Sequence, residues 1–276
     1  MCGRYIIREQ EAAERYWRAH GLPKWAPGFN IAPTATVPIV RRARRGSVPA
    51  DPDLPHEGAL VRWGLIPFWA HGAPPKFATF NARVEGLEST LSFRGAWEYG
   101  RRCILPAAGF YEWQRRGPRK QPFFIKLADR EVFGFAGLWE RSKLPDSDAW
   151  IESCTIITLP ANRLLSEIHN GGLRMPAILR EEDHEAWLSG TVDDARAVLQ
   201  PYADERMRKI FGAGKFAPAN GGTSAPPNEA YWALVRTTKG DVVLDNLSNT
   251  VRTWQNAGLS WRTIQSSTDP RVWHQI

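Results

Sequence analysis

From Arg102 to Pro160 the chain is a succession of strand-forming segments separated by turn signals. "RRCILPAAGFYEWQ", "QPFFIKL", "EVFGFAGLWER" and "AWIESCTIITLP" mix small or β-branched residues with bulky ones, a composition that suits a pleated, half-buried surface. "RRGPRK" falls between the first two and predicts a hairpin tip. Helix signals are short by comparison. "SFRGAW" and "ANRLLSEIH" support a turn or two each, and "EEDHEAWLSG" and "VDDARAVLQPYAD" predict short helices with acidic first turns, which complement the helix dipole. Near the start, "REQEAAERYWRAHG" reads as an amphipathic helix stopped by Gly21.

Between these parts, "LPKWAPGFNIAP" is an irregular loop and "TVPIV" begins a strand. The stretch from Arg41 to Glu57 contains "RRARR" followed by "PADPDLPHE" and predicts a hairpin with a long solvated tip or a mobile loop, with Arg41, Arg42, Arg44 and Arg45 in solvent. "ALVRWGLIPFWA" is a strand entering a proline-interrupted turn. From about Phe211 the texture changes to Gly, Pro, Ala and Ser, which is linker composition. The expected organisation is a main domain over residues 1–210, a linker over 211–228, and a small β tail over 229–276 with a "KGD" hairpin. There is no internal repeat.

Hydrophobic residues at 43% and charged residues at 24% are ordinary for a soluble globular protein. No apolar run approaches the ~18–20 residues needed to span a bilayer, and the N-terminus turns charged too early for a secretory signal, so the expected location is the cytoplasm. The three cysteines are then expected to be reduced. Cys103 and Cys154 lie in strand-like segments, and no Cys/His spacing suggests a metal site. A net charge of +7 suits a polyanionic partner, since counterion release from phosphates drives such binding; it also fits a merely solubilising surface. Thirteen tryptophans supply either core or stacking faces.

One cysteine stands directly behind Met1, in "MCGRY". Removal of the methionine would leave an α-amine and a thiol on adjacent carbons, with ordinary pKa values near ~7.7–8 and ~8.5. An aldehyde condenses with such an amine to a Schiff base, and the thiol then closes on the imine carbon to give a thiazolidine. An internal cysteine cannot do this, because its nitrogen is an amide. The thiol could instead serve as the nucleophile of an N-terminal hydrolase, or Cys2 could simply be a small residue at the start.

"MCGRY", "FNIAPT", "RWGLIPFWA", "FNARVE", "SFRGAW" with "RRCILPAAGFYEW", and "IHNGGLRMPAIL" occur in this order. The series closely resembles the SOS response-associated peptidase family, the abasic-site processing proteins, from Met1 to about Tyr202. The resemblance implies an α+β domain with an open, barrel-like β core, short flanking helices and a cationic channel for single-stranded DNA. It implies loss of Met1 by self-processing and a covalent thiazolidine link between Cys2 and abasic sites, with AP lyase activity through the Schiff base. It implies no cofactor and no metal. By the same resemblance Cys2 is the nucleophile, Asn81 holds the reacting groups, Glu112 is the acid/base and His169 lies beside the sugar. Arg4, Arg83 and Arg94 fall at phosphate-contacting positions, and Trp69 at a base-stacking one. The expected partner is single-stranded DNA containing abasic sites, bound by a monomer, with no membrane.

The residue chemistry fits those assignments. An imidazole suits the proton transfer that opens the sugar to its aldehyde. A carboxylate can take a proton from the amine and return it to the leaving hydroxyl, and partial burial would raise its pKa. An uncharged amide can hold an amine or hydroxyl. Taken singly, Glu112 also fits an ordinary strand residue, His169 a satisfied histidine, and Asn81 a turn residue.

Three features depart from the pattern. "HNGGLRMP" carries extra residues where the family has a shorter "IHDRMP"-like turn, and Trp69–Ala70 stands where some members have paired tryptophans. The tail resembles the C-terminal piece of bacterial transglutaminase-like cysteine proteinases, but Trp232 occupies the place of a histidine and only Asp245 remains of the catalytic set, so no second protease is expected. A glutamine amidotransferase-like N-terminal-cysteine hydrolase and a non-catalytic single-strand-binding module are the competing functions.

Overall fold

The computed structural model describes residues 2–7, 23–25, 28–43, 56–213, 232–237 and 240–245. The helix expected over residues 8–21, Arg44 and Arg45, residues 214–228 of the expected linker, and the tail beyond residue 245 lie outside the described residues.

The strand-forming segments build two sheets. In the first, β3 (Thr36–Arg42) and β4 (His56–Trp63) are an antiparallel pair in unbroken register from Thr36↔Arg62 to Arg42↔His56. β6 (Arg102–Ala107) joins β3, β9 (Phe133–Lys143) joins β6, and β10 (Trp150–Pro160) joins β9. β10 returns to pair in parallel with β4 through Ser153↔Arg62 and Cys154↔Trp63. The expected barrel-like core is present, and this ring of five strands closes. Closure removes edges that would otherwise need cover. Gly137 makes one close passage: a β-carbon there would stand 2.6 Å from the Thr155 carbonyl oxygen and 2.4 Å from Leu105 Cδ1.

The second sheet runs β2 (Gly28–Ile31), β1 (Tyr5–Ile7), β7 (Gly109–Arg116), β8 (Arg119–Leu127), β13 (Met207–Ala213), β15 (Gly240–Asp245) and β14 (Trp232–Thr237). β7 and β8 are the hairpin foreseen at "RRGPRK", closing at Arg116↔Arg119 with Gly117 at a φ of 59° that glycine adopts without strain. β14 and β15 flank the "KGD" position and pair antiparallel, while β15 adds in parallel to β13. Strand β13 thus runs into the first residues of the segment expected as linker.

Aromatic side chains join the sheets. Tyr5 meets Trp63 edge-on at 5.1 Å and Phe135 at 5.8 Å, and Phe135 in turn meets Phe110 and Phe133. Edge-to-face pairs add about 0.5–1.5 kcal/mol each beyond their buried area, so the start of the chain is tied firmly into the core. Short helices cover the outside: α1 (Leu91–Glu98), α2 (Arg163–Ile168), α3 (His184–Ser189) and α4 (Val192–Ala197). Thr191 and Asp194 cap α4 reciprocally, and Trp187 of α3 is buried with Nε1 donating to the Cys103 carbonyl at 2.9 Å.

One arginine is not where the charge run suggested. Arg41 is 1% exposed. Its Nε lies 2.8 Å from Glu57, its Nη2 lies 3.0 Å from Glu152, and its guanidinium sits over Trp139. β3 extends through Arg42, and its buried stretch runs from Val37 through Arg41, so Arg41 lies in the strand's interior while Arg42 stays in solvent.

No described helix is long and apolar enough to cross a membrane.

Candidate functional site

Three of the four expected reacting groups converge at the start of β1. Antiparallel pairing of β1 with β7 matches Tyr5 to Phe110 and Ile6 to Gly109, and the Tyr111 N–H continues it by donating to the Arg4 carbonyl at 2.9 Å. The same register brings Glu112 alongside Gly3, next to Cys2. Glu112 shares the face of β7 that carries Phe110 and is 2% exposed.

Asn81 arrives from the other sheet. β5 (Asn81–Arg83) pairs in parallel with β10 through Ile156↔Asn81 and Thr158↔Arg83. Ala82 faces the core, so Asn81 and Arg83 project from the opposite face. The Phe80 carbonyl ahead of them accepts from Trp63 Nε1 at 2.9 Å and the Ile156 N–H at 3.1 Å. Held in this way, Asn81 Nδ2 donates to the Cys2 carbonyl at 2.9 Å. Asn81 Oδ1 is buried and accepts no hydrogen bond among the described residues.

Cys2 is fully buried in the chain that still carries Met1. Burial pushes its thiol above the ordinary range, and the charge of Glu112 adds to the push. The thiol is therefore held protonated at neutral pH. The Cys103 and Cys154 thiols are likewise buried and raised by desolvation, which makes them inert core residues.

His169 caps the C-terminus of α2 and is stitched to both sides of this site. Its Nδ1 accepts from the Arg174 N–H at 3.1 Å and lies 3.0 Å from the Arg174 carbonyl. Arg174, first residue of β11 (Arg174–Pro176), forms a bidentate pair with Glu85, just beyond β5. On the other side, Gln114 of β7 donates to the Glu167 carbonyl at 2.8 Å. The extra residues after His169 form a tight turn. A β-carbon on Gly172 would lie 2.6 Å from His169 Cε1, so the turn and the ring can approach this closely only with glycine there.

The expected DNA-contacting residues divide. Arg4 is half-buried beside Cys2, donating through Nη1 to Asn30 Oδ1 at 2.8 Å, and Arg83 is exposed next to Asn81. Trp69, on a short 3-10 turn at Phe68–Ala70, is 37% exposed. The neighbouring Phe68 ring packs near Gly95 of α1. The ion pair of Arg94 runs along its own helix to Glu98 at 4.0 Å, outside the Cys2 group. Sequence reasoning passed over Asn30, although it stands in "FNIAPT" among the quoted segments, and over Arg174, whose partner Glu85 is distant in sequence.

No group of three or more His, Cys, Asp or Glu among the described residues is arranged to hold a metal ion.

The model of the family described as SOS response associated peptidase (SRAP) matches residues 1–210. Residues 227–276 match the family described as bacterial transglutaminase-like cysteine proteinase. A Bacillus subtilis protein named abasic site processing protein YoqW is 35% identical over 216 residues, covering 75% of this chain and 90% of that protein. The abasic site processing protein HMCES of Gallus gallus is 32% identical over 67% of this chain and 60% of its own length. Among solved structures, a Bordetella bronchiseptica protein superimposes with a TM-score of 0.64 at 31% identity, covering 75% of this chain and 98% of that one. A Bacteroides thetaiotaomicron protein does so with a TM-score of 0.65 at 27% identity, covering 77% and 92%. With its family match over residues 1–210 and a β core of the same shape as these neighbours, the chain belongs to the SOS response associated peptidase family.

Proposed function

We propose that this protein processes abasic sites in single-stranded DNA by linking to them covalently through Cys2. The observation that carries the reading is the convergence on Cys2 of Asn81, whose amide holds its carbonyl, and Glu112, whose charge acts on its thiol. The names of the relatives support the substrate.

In this reading water first adds across the Met1–Cys2 amide, releasing methionine and a free α-amine. The amine attacks C1′ of the ring-opened sugar, giving a carbinolamine. Before the attack Glu112 takes a proton from the α-ammonium; it then gives that proton to the departing hydroxyl, so one water leaves and an iminium remains. The thiol sulfur then bonds to C1′, and its proton goes to Glu112. The product is a thiazolidine, and the sum is aldehyde plus the ammonium form of the aminothiol to thiazolidine plus water, with the ammonium's proton left on Glu112. The protonated state of the thiol suits this order, because the amine adds first. Asn81 Oδ1, buried and without a hydrogen-bond partner among the described residues, is an acceptor for the freed amine.

His169 moves the proton that opens the sugar hemiacetal. The Arg174 backbone offers its Nδ1 both an N–H and a carbonyl, so the ring keeps a partner there with or without a proton on that nitrogen. The iminium is also an electron sink. Loss of the 3′ phosphate from it would cut the strand, and ring closure by the thiol competes with that lyase step. Arg4 and Arg83, beside the reacting groups, contact the backbone phosphates; Arg94 and Trp69 hold the strand further along, where stacking adds about 1–3 kcal/mol per base without sequence preference. The protein acts as a monomer without a cofactor, and residues 229–276 form a non-catalytic appendage.

The test is incubation with a single-stranded oligonucleotide containing one abasic site. A shifted band that survives heat and denaturant, and is lost in Cys2→Ala, supports the reading. Binding that salt alone reverses points to a plain single-strand-binding module, and glutamine hydrolysis to the amidotransferase-like alternative.

A further inference from the structure

Strand β7 changes partner along one edge. β1 covers that edge at Gly109 and Phe110, and the Arg4 carbonyl takes the Tyr111 N–H. At Arg115 a side chain takes over: Asn170 Oδ1 accepts from the Arg115 N–H at 2.9 Å, and Asn170 Nδ2 donates to the Arg115 carbonyl at 3.0 Å. A primary amide presents an acceptor and a donor side by side, so it reproduces the pair of bonds a neighbouring strand residue would make. The other edge of Arg115 remains with β8, opposite Lys120.

Asn170 immediately follows His169 and opens the extra turn. Gly172 and Leu173 both donate to the His169 carbonyl, at 3.1 and 2.8 Å. Gly171 packs against the Arg115 side chain, and Gly172 lies under the His169 ring. Leu173 is held at a φ of 49°, a left-handed conformation that a branched residue keeps only when its surroundings impose it. The amide clip on Arg115 is an anchor of that kind.

We propose that Asn170 is a positioning residue for His169: by clipping the inserted turn to the backbone of Arg115 on β7, it fixes that turn and thereby sets the imidazole. The role in catalysis rests on the function proposed above. A chain with a longer turn after its histidine needs such an anchor, because added loop length would otherwise let the ring wander, and small displacements of a proton-transfer group are costly to rate.

The experiment compares wild type, Asn170→Ala, His169→Ala and the double variant in single-turnover crosslinking to saturating abasic single-stranded oligonucleotide, with binding of the intact oligonucleotide measured alongside. Asn170→Ala should slow crosslinking about tenfold and leave intact-strand affinity within about twofold. In the His169→Ala background the same change should have less than about a twofold effect, since residues that act as one unit are not additive. Gly172→Ala, whose β-carbon pushes on the ring directly, should behave likewise and serves if Asn170→Ala folds poorly. A wild-type rate in both variants, or an equal slowing with and without His169, overturns the proposal. The His169 imidazole resonances give a readout independent of crosslinking: they should shift or broaden in Asn170→Ala, and an unchanged ring signal overturns the positioning role. Failure of the wild type to crosslink at all counts instead against the function proposed above.

Discussion

Asn81 and Cys2 lie 79 positions apart in sequence, yet Asn81 Nδ2 donates a 2.9 Å hydrogen bond to the Cys2 carbonyl. The bond joins the two sheets at the first residue that Met1 removal would expose. It fixes the orientation of the amine and thiol that follow from that removal. Asn81→Ala should therefore slow crosslinking about five- to tenfold, the worth of one such hydrogen bond, with melting temperature little changed. Quench-flow or gel time courses measure this; an unaltered rate would remove Asn81 from the reacting group.

Glu112 is a buried carboxylate that moves protons in the proposed sequence. Glu112→Gln keeps the shape and removes the proton acceptor, so crosslinking should slow by about 10²–10⁴-fold, the usual contribution of a general acid–base group. Affinity for intact single-stranded DNA should be nearly unchanged. A matched loss of both would make Glu112 a structural residue.

His184, away from the site, makes stability pH-dependent. Burial, joined by the charges of Arg130 and His56, lowers its pKa from 6.5 to about 4. Between these values the unfolded chain binds a proton that the folded chain excludes. Stability is complete above about pH 6.5 and falls as the pH drops toward 4, by up to about 3 kcal/mol. Urea denaturation at pH 7.5, 6 and 5 should show the decline, and His184→Gln should flatten it.

Strands β14 and β15 extend the second sheet from β13. Truncation after Ala213 should leave the crosslinking rate intact but open the β13 edge to pairing between molecules. Light scattering should report increased self-association; lost crosslinking would give the tail a direct part in the chemistry.

The strands were legible because each segment from Arg102 to Pro160 satisfies β preferences locally, and the Gly117 turn marks itself. Ring closure through β4 and β10 was less so, since a parallel pairing of distant strands leaves no local signal. Cys2, Asn81 and Glu112 were singled out through segment order; the bond between the first two depends on how β5 packs beside β10. Arg41 was misread for a physical reason. A run of arginines looks solvated, but β3 reaches through Arg42 and keeps Arg41 in its buried stretch, and its partners Glu57 and Glu152 come from other strands. Asn170 was hidden in the same way: its two bonds to the Arg115 backbone join residues 55 positions apart.

The most direct measurement is the intact mass of the protein after incubation with an abasic single-stranded oligonucleotide. The account predicts an adduct equal to the protein without Met1 plus the oligonucleotide minus one water, stable to heat and absent in Cys2→Ala. An adduct that retains Met1, or one that forms equally well in Cys2→Ala, would contradict it.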